Sequence, residues 1–303
     1  MLDPTTTRPA SAPLFAAAPL TLPALQVVMV AGALLLAVVL TEDSRIYPVA
    51  MTLAFLCGGL PHGAFDIHLA VRKASLGVWD AVRFLALYLG LFTAMVAGWH
   101  FLPGIALAVF LVSALVHFGE DWPCEPKVSR YALGSAPIAV IALAHPEMVR
   151  EIFAAMTAEQ TALRLEQAFA ILGPACLALA LIALCRMLVA GRSSARALAF
   201  LPLLPALALL PPLVGFALFF CCYHSPRHMA GIRRSLGQLS GRSFAVYGVA
   251  LTLLALVLGA ALLPLILAGG IATAAGGFQL LAALAVPHHV APRLFETLRR
   301  RTS

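Results

Sequence analysis

Long, unbroken apolar runs dominate this chain, and they leave few folds open to it. Punctuation by charge, proline and glycine delimits ten of them, at roughly 22–40, 46–70, 81–99, 102–119, 131–145, 167–189, 197–210, 212–226, 243–268 and 271–288. Most match the roughly 20 apolar residues that a membrane-crossing helix needs. The runs are continuous rather than alternating, which favours helices over strands. In lipid, only helices and closed barrels satisfy their own backbone polar groups. Composition agrees: 62% of the residues are hydrophobic and 11% charged, against about 25% charged in soluble chains. The expected fold is all-α: a polytopic transmembrane helical bundle of 8–10 spans.

Three runs set that range. The run 131–145 is short and contains Pro137. The runs 197–210 and 212–226 could instead be one long helix kinked at Pro211-Pro212. Residues 146–166 carry Glu147, Arg150, Glu151, Glu159, Arg164 and Glu166 among apolar positions, a pattern of an amphipathic interfacial segment. Residues 1–21, rich in Pro, Ala and Thr, lack the order of a signal peptide and read as a disordered lead-in. Residues 22–295 form a single membrane domain in this reading, and 296–303 a basic cytoplasmic tail.

The net charge of +7 does not point to nucleic acid. The basic residues stand in short clusters between apolar runs, and those clusters orient the chain. Arg72, Lys73 and Arg83, then Lys127 and Arg130, then Arg186, Arg192 and Arg196, then Arg227, Arg233, Arg234 and Arg242, and finally Arg293 and Arg299 to Arg301 lie on alternate connections. The positive-inside rule places these, and both termini, in the cytoplasm of a cell whose inner membrane the protein crosses many times. The six cysteines form no CxxC pair, so neither a zinc knuckle nor a disulfide framework is expected.

Nine histidines stand in this apolar background. Ionisable side chains inside spans are costly, so each is a functional candidate. Their placing is uneven. His62 and His68 come late in the second run, and His117 ends the fourth. His224 and His228 end the eighth, and His288 and His289 end the tenth. All of these lie toward the cytoplasmic side in the ten-span reading, whereas His100 and His145 lie at opposite ends. Imidazole is the commonest metal ligand and suits iron, copper and zinc. His224 and His228, four apart, share one face of a helix. His62 and His117 complete four nitrogen ligands drawn from three helices. Being adjacent, His288 and His289 point in different directions, so at most one is expected to face the site. Asp66, Glu120 and Asp121 lie three or four residues after His62 or His117. They are expected to accept the far N–H of ligand imidazoles, or to ligate directly. Phe65, Phe118, Trp122, Phe220 and Tyr223, near the histidine-bearing ends, are candidates to line a slot for a long apolar substrate.

Three motifs in order resemble the bacterial and archaeal Brp/Blh family of membrane β-carotene 15,15′-dioxygenases. They are Pro61-His62-Gly63-Ala64-Phe65-Asp66, His117-Phe118-Gly119-Glu120-Asp121 and His224-Ser225-Pro226-Arg227-His228. The ending Pro287-His288-His289 is similar as well. Ile67 stands between Asp66 and His68, where the family pattern has His directly after Asp, so no role carries over to His68. The resemblance implies a non-haem Fe(II) centre on His62, His117, His224 and His228. It also implies β-carotene and O2 as substrates, two retinal molecules as products, and a rhodopsin-type protein as a receiver of retinal. Two other readings compete on residue types alone. A membrane desaturase or hydroxylase needs about eight histidines in HxxxH and HxxHH boxes for two irons, and this chain has one HxxxH. A metal or lipid transporter would use histidines along a pathway, and the broken 197–226 region suits it.

Overall fold

The structure is a computed structural model and describes residues 65–66, 77–191, 194–235, 243–244, 246–250, 253, 257 and 273–302. The lead-in 1–21, the run 22–40, almost all of 46–70, His62, His68 and most of 243–268 lie outside the described residues. Among the described residues the secondary structure is helical, without strands.

Helix α1 (Val78–Phe101) and α2 (Pro103–Phe118) are separated by a single residue, Leu102. The break is local chemistry. Leu102 leaves the helical region at φ −140°, ψ 56° because the ring of Pro103 disfavours α geometry in the preceding residue. Pro103 itself starts α2, where its missing N–H removes no helical bond. The same device recurs between the next two helices. α3 (Lys127–Ala144) ends at His145, again at φ −134°, ψ 56°, and Pro146 opens α4 (Pro146–Met156). The pair α3–α4 is bent by 106°.

α5 (Glu159–Val189) is the longest helix among the described residues. It corrects the expectation of one amphipathic segment over 146–166. Thr157 is extended and ends α4, so Glu159 to Glu166 are the first turns of α5 instead. α4 alone is amphipathic, burying Val149, Phe153 and Met156 on one face. Arg150 ties the two helices through 3.6 Å contacts to Glu159 and Glu166.

The 197–226 region is broken in two. α6 (Ser194–Phe200) and α7 (Leu203–Leu209) form a first arm. Leu210 and Pro211 are extended, with ψ 147° and 145°. A second arm runs through α8 (Pro212–Ala217), a π-helical segment (Leu218–His224) and α9 (Ser225–Ser235). The last helix, α10 (Thr273–Thr302), continues through Pro287 and Pro292. The segment expected as a separate basic tail from residue 296 therefore extends this helix as far as Thr302.

Among the described residues, three helical stretches are long and apolar enough to cross a membrane: Val78–Phe101, Pro103–Asp121 and Glu159–Val189. The bent pair α3–α4 makes a fourth if it counts as one span. Their outward faces carry large apolar side chains, among them Val78, Trp79, Ile171, Leu172 and Val189, all exposed. Such a surface is tolerated in lipid and not in water. The chain is an all-α polytopic helical protein.

Candidate metal centre

The site is built where three histidine-bearing elements meet. The last turn of α2 ends in His117, and a 3-10 turn over Gly119–Asp121 follows at once. α3 crosses this corner almost backbone to backbone. A Cβ on Gly134 would lie 2.3 Å from the Leu115 carbonyl oxygen and 2.5 Å from the Gly119 nitrogen. A Cβ on Gly119 would in turn lie 2.8 Å from the Arg130 carbonyl oxygen. Two glycines thus permit the approach, and Arg130 Nε donates to the Gly119 carbonyl (3.3 Å) to close it.

The π-helical segment supplies the second element. The Ser225 N–H reaches back five residues to the Phe220 carbonyl, one wider than an α turn. π segments of this kind recur at functional sites. Pro226 has no N–H to give, yet it sits in the first turn of α9, where none is needed. His224 closes the wide turn and His228 follows four residues later. Pro226 between them does not separate them: their rings lie 6.0 Å apart, and both face His117, at 4.8 and 5.1 Å between ring centroids.

The third element is α10. His288 and His289 both meet His117, at 5.1 and 3.9 Å between centroids. This overturns the expectation that at most one of them faces the site. Successive helical residues diverge by about 100°, so a group lying over the arc between them is reached by both. His117 is that group. One nitrogen from each of His117, His224 and His228 lies within 4.8 Å of the others, and the same holds for His117, His288 and His289. His117, His224, His288 and His289 are buried and His228 half-buried. His62 lies outside the described residues.

Each acidic candidate has found a histidine. His117 Nδ1 donates to Glu120 Oε2 at 2.8 Å, within one turn. His224 Nδ1 donates to Asp121 Oδ2 at 2.9 Å, across helices. His288 Nδ1 donates to both oxygens of Asp66, at 2.8 and 2.7 Å. An ionised carboxylate only accepts, so it fixes the proton on Nδ1 and leaves the lone pair on Nε2. These are carboxylate–histidine pairs of the kind that support metal ligation. His289 differs, since its Nδ1 shares a 2.6 Å hydrogen bond with the Ser113 hydroxyl, which can donate or accept.

Several partners were not anticipated from the sequence. Tyr88 hydrogen-bonds Asp66, Arg293 pairs with Glu120, and Arg196 donates to the Asp121 carbonyl (3.4 Å). Two carried a signal. Ser113 is a lone hydroxyl one turn before His117 in an apolar run, and Arg293 stands one turn after His289. Tyr88 and Arg196 gave none, because their helices meet the site only in three dimensions.

The aromatic candidates divide. Phe118 packs on His224 at 4.8 Å, and Phe220 stacks on it at 6.0 Å. Trp122 and Tyr223 instead pack on Phe200, with Arg227 over the Tyr223 ring at 4.6 Å. Phe65 stacks on Phe244 at 4.7 Å. Phe216, not among the candidates, stacks on Phe220 at 5.7 Å. It also lines a partly open apolar cavity of about 70 Å³ between α2, α3, α4, α8 and α10, together with Phe110, Ile141, Phe153 and Phe278. α4 is therefore a wall of this cavity. A stack of rings, Phe216, Phe220 and His224, leads from the cavity to the histidines.

The chain is 26% identical over 195 residues to a β-carotene 15,15′-dioxygenase of the uncultured marine bacterium 66A03, covering 62% of this chain and 70% of that relative. No solved structure matches it. A family description, β-carotene 15,15′-dioxygenase, matches residues 53–296. That stretch holds every histidine of the cluster together with the acids and glycines that set it in place, so this chain belongs to the β-carotene 15,15′-dioxygenase family.

Proposed function

We propose that this protein cleaves the central 15,15′ double bond of β-carotene with O2, using Fe(II) held by buried histidines, and releases two molecules of retinal. The carrying observation is the set of imidazoles around His117, two of the ligand candidates having Nδ1 fixed by a carboxylate, beside an aromatic path into an apolar cavity. The residues fit the metal. All-nitrogen neutral ligation suits Fe(II), and carboxylate partners raise the basicity of the ligating nitrogen. His117, His224 and His228 hold the ion, joined by His62 from the family motif.

Bound iron supplies the open-shell centre that lets triplet O2 react with a closed-shell polyene. The rest falls to the protein. Glu120 and Asp121 hold His117 and His224 in one tautomer and one orientation. Phe118 and Phe220 present ring faces beside His224, against which a conjugated chain can lie. The apolar walls of the cavity offer a surface against which one end of the substrate can pack. Each carbon of the cleaved bond receives one oxygen atom from O2. A substrate insoluble in water reaches such a site from lipid, in keeping with a place in the inner membrane and with passing retinal to a rhodopsin-type protein.

Expression in carotenoid-accumulating cells tests the reading. The pigment is expected to bleach, with retinal recovered on extraction. Unbleached cells holding folded, iron-loaded protein would overturn it. Iron content near one per chain is expected, whereas a desaturase-type centre requires two.

The carboxylate partners have their own test. Asp121→Asn is expected to weaken Fe(II) binding about 10–100-fold, the usual effect of losing such a partner, while the purified protein keeps its helix content. Metal titration followed by circular dichroism measures both.

A further inference from the structure

The centre contains more imidazoles than the family motif requires, and ring geometry sorts them. The rings of His117, His224, His228 and His288 form a closed circuit, while their closest nitrogens fall into two groups that share His117, one with His224 and His228 and one with His288 and His289. Neighbouring ring centroids lie 4.8, 6.0, 5.4 and 5.1 Å apart in that order. An imidazole coordinates through a lone pair in its own ring plane, so two rings can share an ion only where their planes meet nearby. The plane of His288 crosses that of His117 at 79° and that of His228 at 77°. His117 and His224 cross at a similar 75°.

His289 is different. Its ring lies 3.9 Å from His117 with the planes only 20° apart. At that separation two rings overlap face to face, and nearly parallel planes meet far from both; His224 and His228 also lie within 30° of parallel, but their centroids, 6.0 Å apart, are too far for such overlap. Proximity of their nitrogens therefore does not make them joint ligands of one ion. The hydrogen bonds draw the same division. Asp66 receives the His288 Nδ1–H in both oxygens, matching Glu120 on His117 and Asp121 on His224. Ser113 leaves the tautomer of His289 open.

We propose that His288 is a direct ligand of the metal in this centre, and that His289 packs against His117 without ligating. Asp66, itself held by Tyr88, is the positioning residue for His288. The proposal rests on the metal reading above. It extends the set from two chain regions, α2 with the second arm, to a third on α10.

The test uses the full chain in detergent, loaded anaerobically with Fe(II). Metal affinity is measured by titration, and the ligand field by electron paramagnetic resonance of the ferrous nitrosyl adduct. His288→Gln is expected to lose more than about 100-fold in affinity, beyond the loss typical of a supporting partner, and to alter the nitrosyl signal at saturating iron. Asp66→Asn is expected to lose about 10–100-fold. His289→Phe, which keeps a ring stacked on His117, is expected to retain the wild-type signal. Should His288→Gln not fold, His288→Gly is measured with added imidazole, which is expected to restore iron binding. Wild-type affinity and signal in His288→Gln, or failure of imidazole to restore folded His288→Gly, overturns the assignment. The metal reading has a separate control: if His117→Ala also binds iron as the wild type does, that reading falls and takes this one with it.

Discussion

His117→Ala is expected to abolish retinal formation and to lower Fe(II) affinity by more than about 100-fold, the upper end of what loss of a mere supporting partner costs. Every described ring of the centre packs on His117: His224, His228, His288 and His289 all lie within 5.1 Å of its centroid. Its removal takes away one ligand and the common surface that sets the others. It also leaves Glu120 with Arg293 as its partner and no imidazole to hold. Retinal yield in carotenoid-producing cells and iron content of the purified variant are the measurements. Helix content and elution volume in detergent serve as controls for folding. A variant that folds, binds iron normally and still makes retinal would remove His117 from the ligand set.

The second large effect is expected at a residue with no chemistry of its own. Gly134→Leu should destabilise the protein and lower iron occupancy together. The obstructing atoms are the Leu115 carbonyl oxygen and the Gly119 nitrogen, at 2.3 and 2.5 Å from a first added carbon. Overpacking a core costs about 1–3 kcal/mol, sometimes more. Here the upper end is expected, because backbone cannot yield by changing rotamer. The displaced element is the Gly119–Asp121 turn, so Glu120 and Asp121 would shift away from His117 and His224. A lower thermal midpoint with reduced iron per folded chain is the predicted pair of readouts. Gly104→Ala gives a contrast: its added carbon meets the end of the Thr161 side chain at 2.9 Å, which can move, so a smaller effect is expected.

Much of the site is legible along the chain. His117 with Glu120, and His224 with His228, are related by helical spacing, and three to four residues put side chains on one face wherever the helix forms. The proline breaks at 102–103, 145–146 and 210–212 follow from the restriction that proline places on its predecessor. What failed was inference across a break. The charges of 146–166 read as one amphipathic segment, yet Thr157 divides them between a helix that walls the cavity and the start of the 31-residue α5. The aromatics near the histidines read as one lining, yet Trp122 and Tyr223 turn to Phe200.

The sequence by itself determined the solvent, the helical class and the residue types of the centre, because long apolar runs and costly buried imidazoles are properties of composition. Only the tertiary structure decided which partner each group takes. Asp66 lies one helical turn from His62 in sequence but reaches His288 on the last helix, and Asp121 passes over its neighbour His117 for His224. Helical spacing fixes contacts within one helix. Contacts between helices depend on how closely and at what angle the backbones cross, and here a bare Cα at Gly134, a wide π turn and a helix carried through two prolines set that crossing.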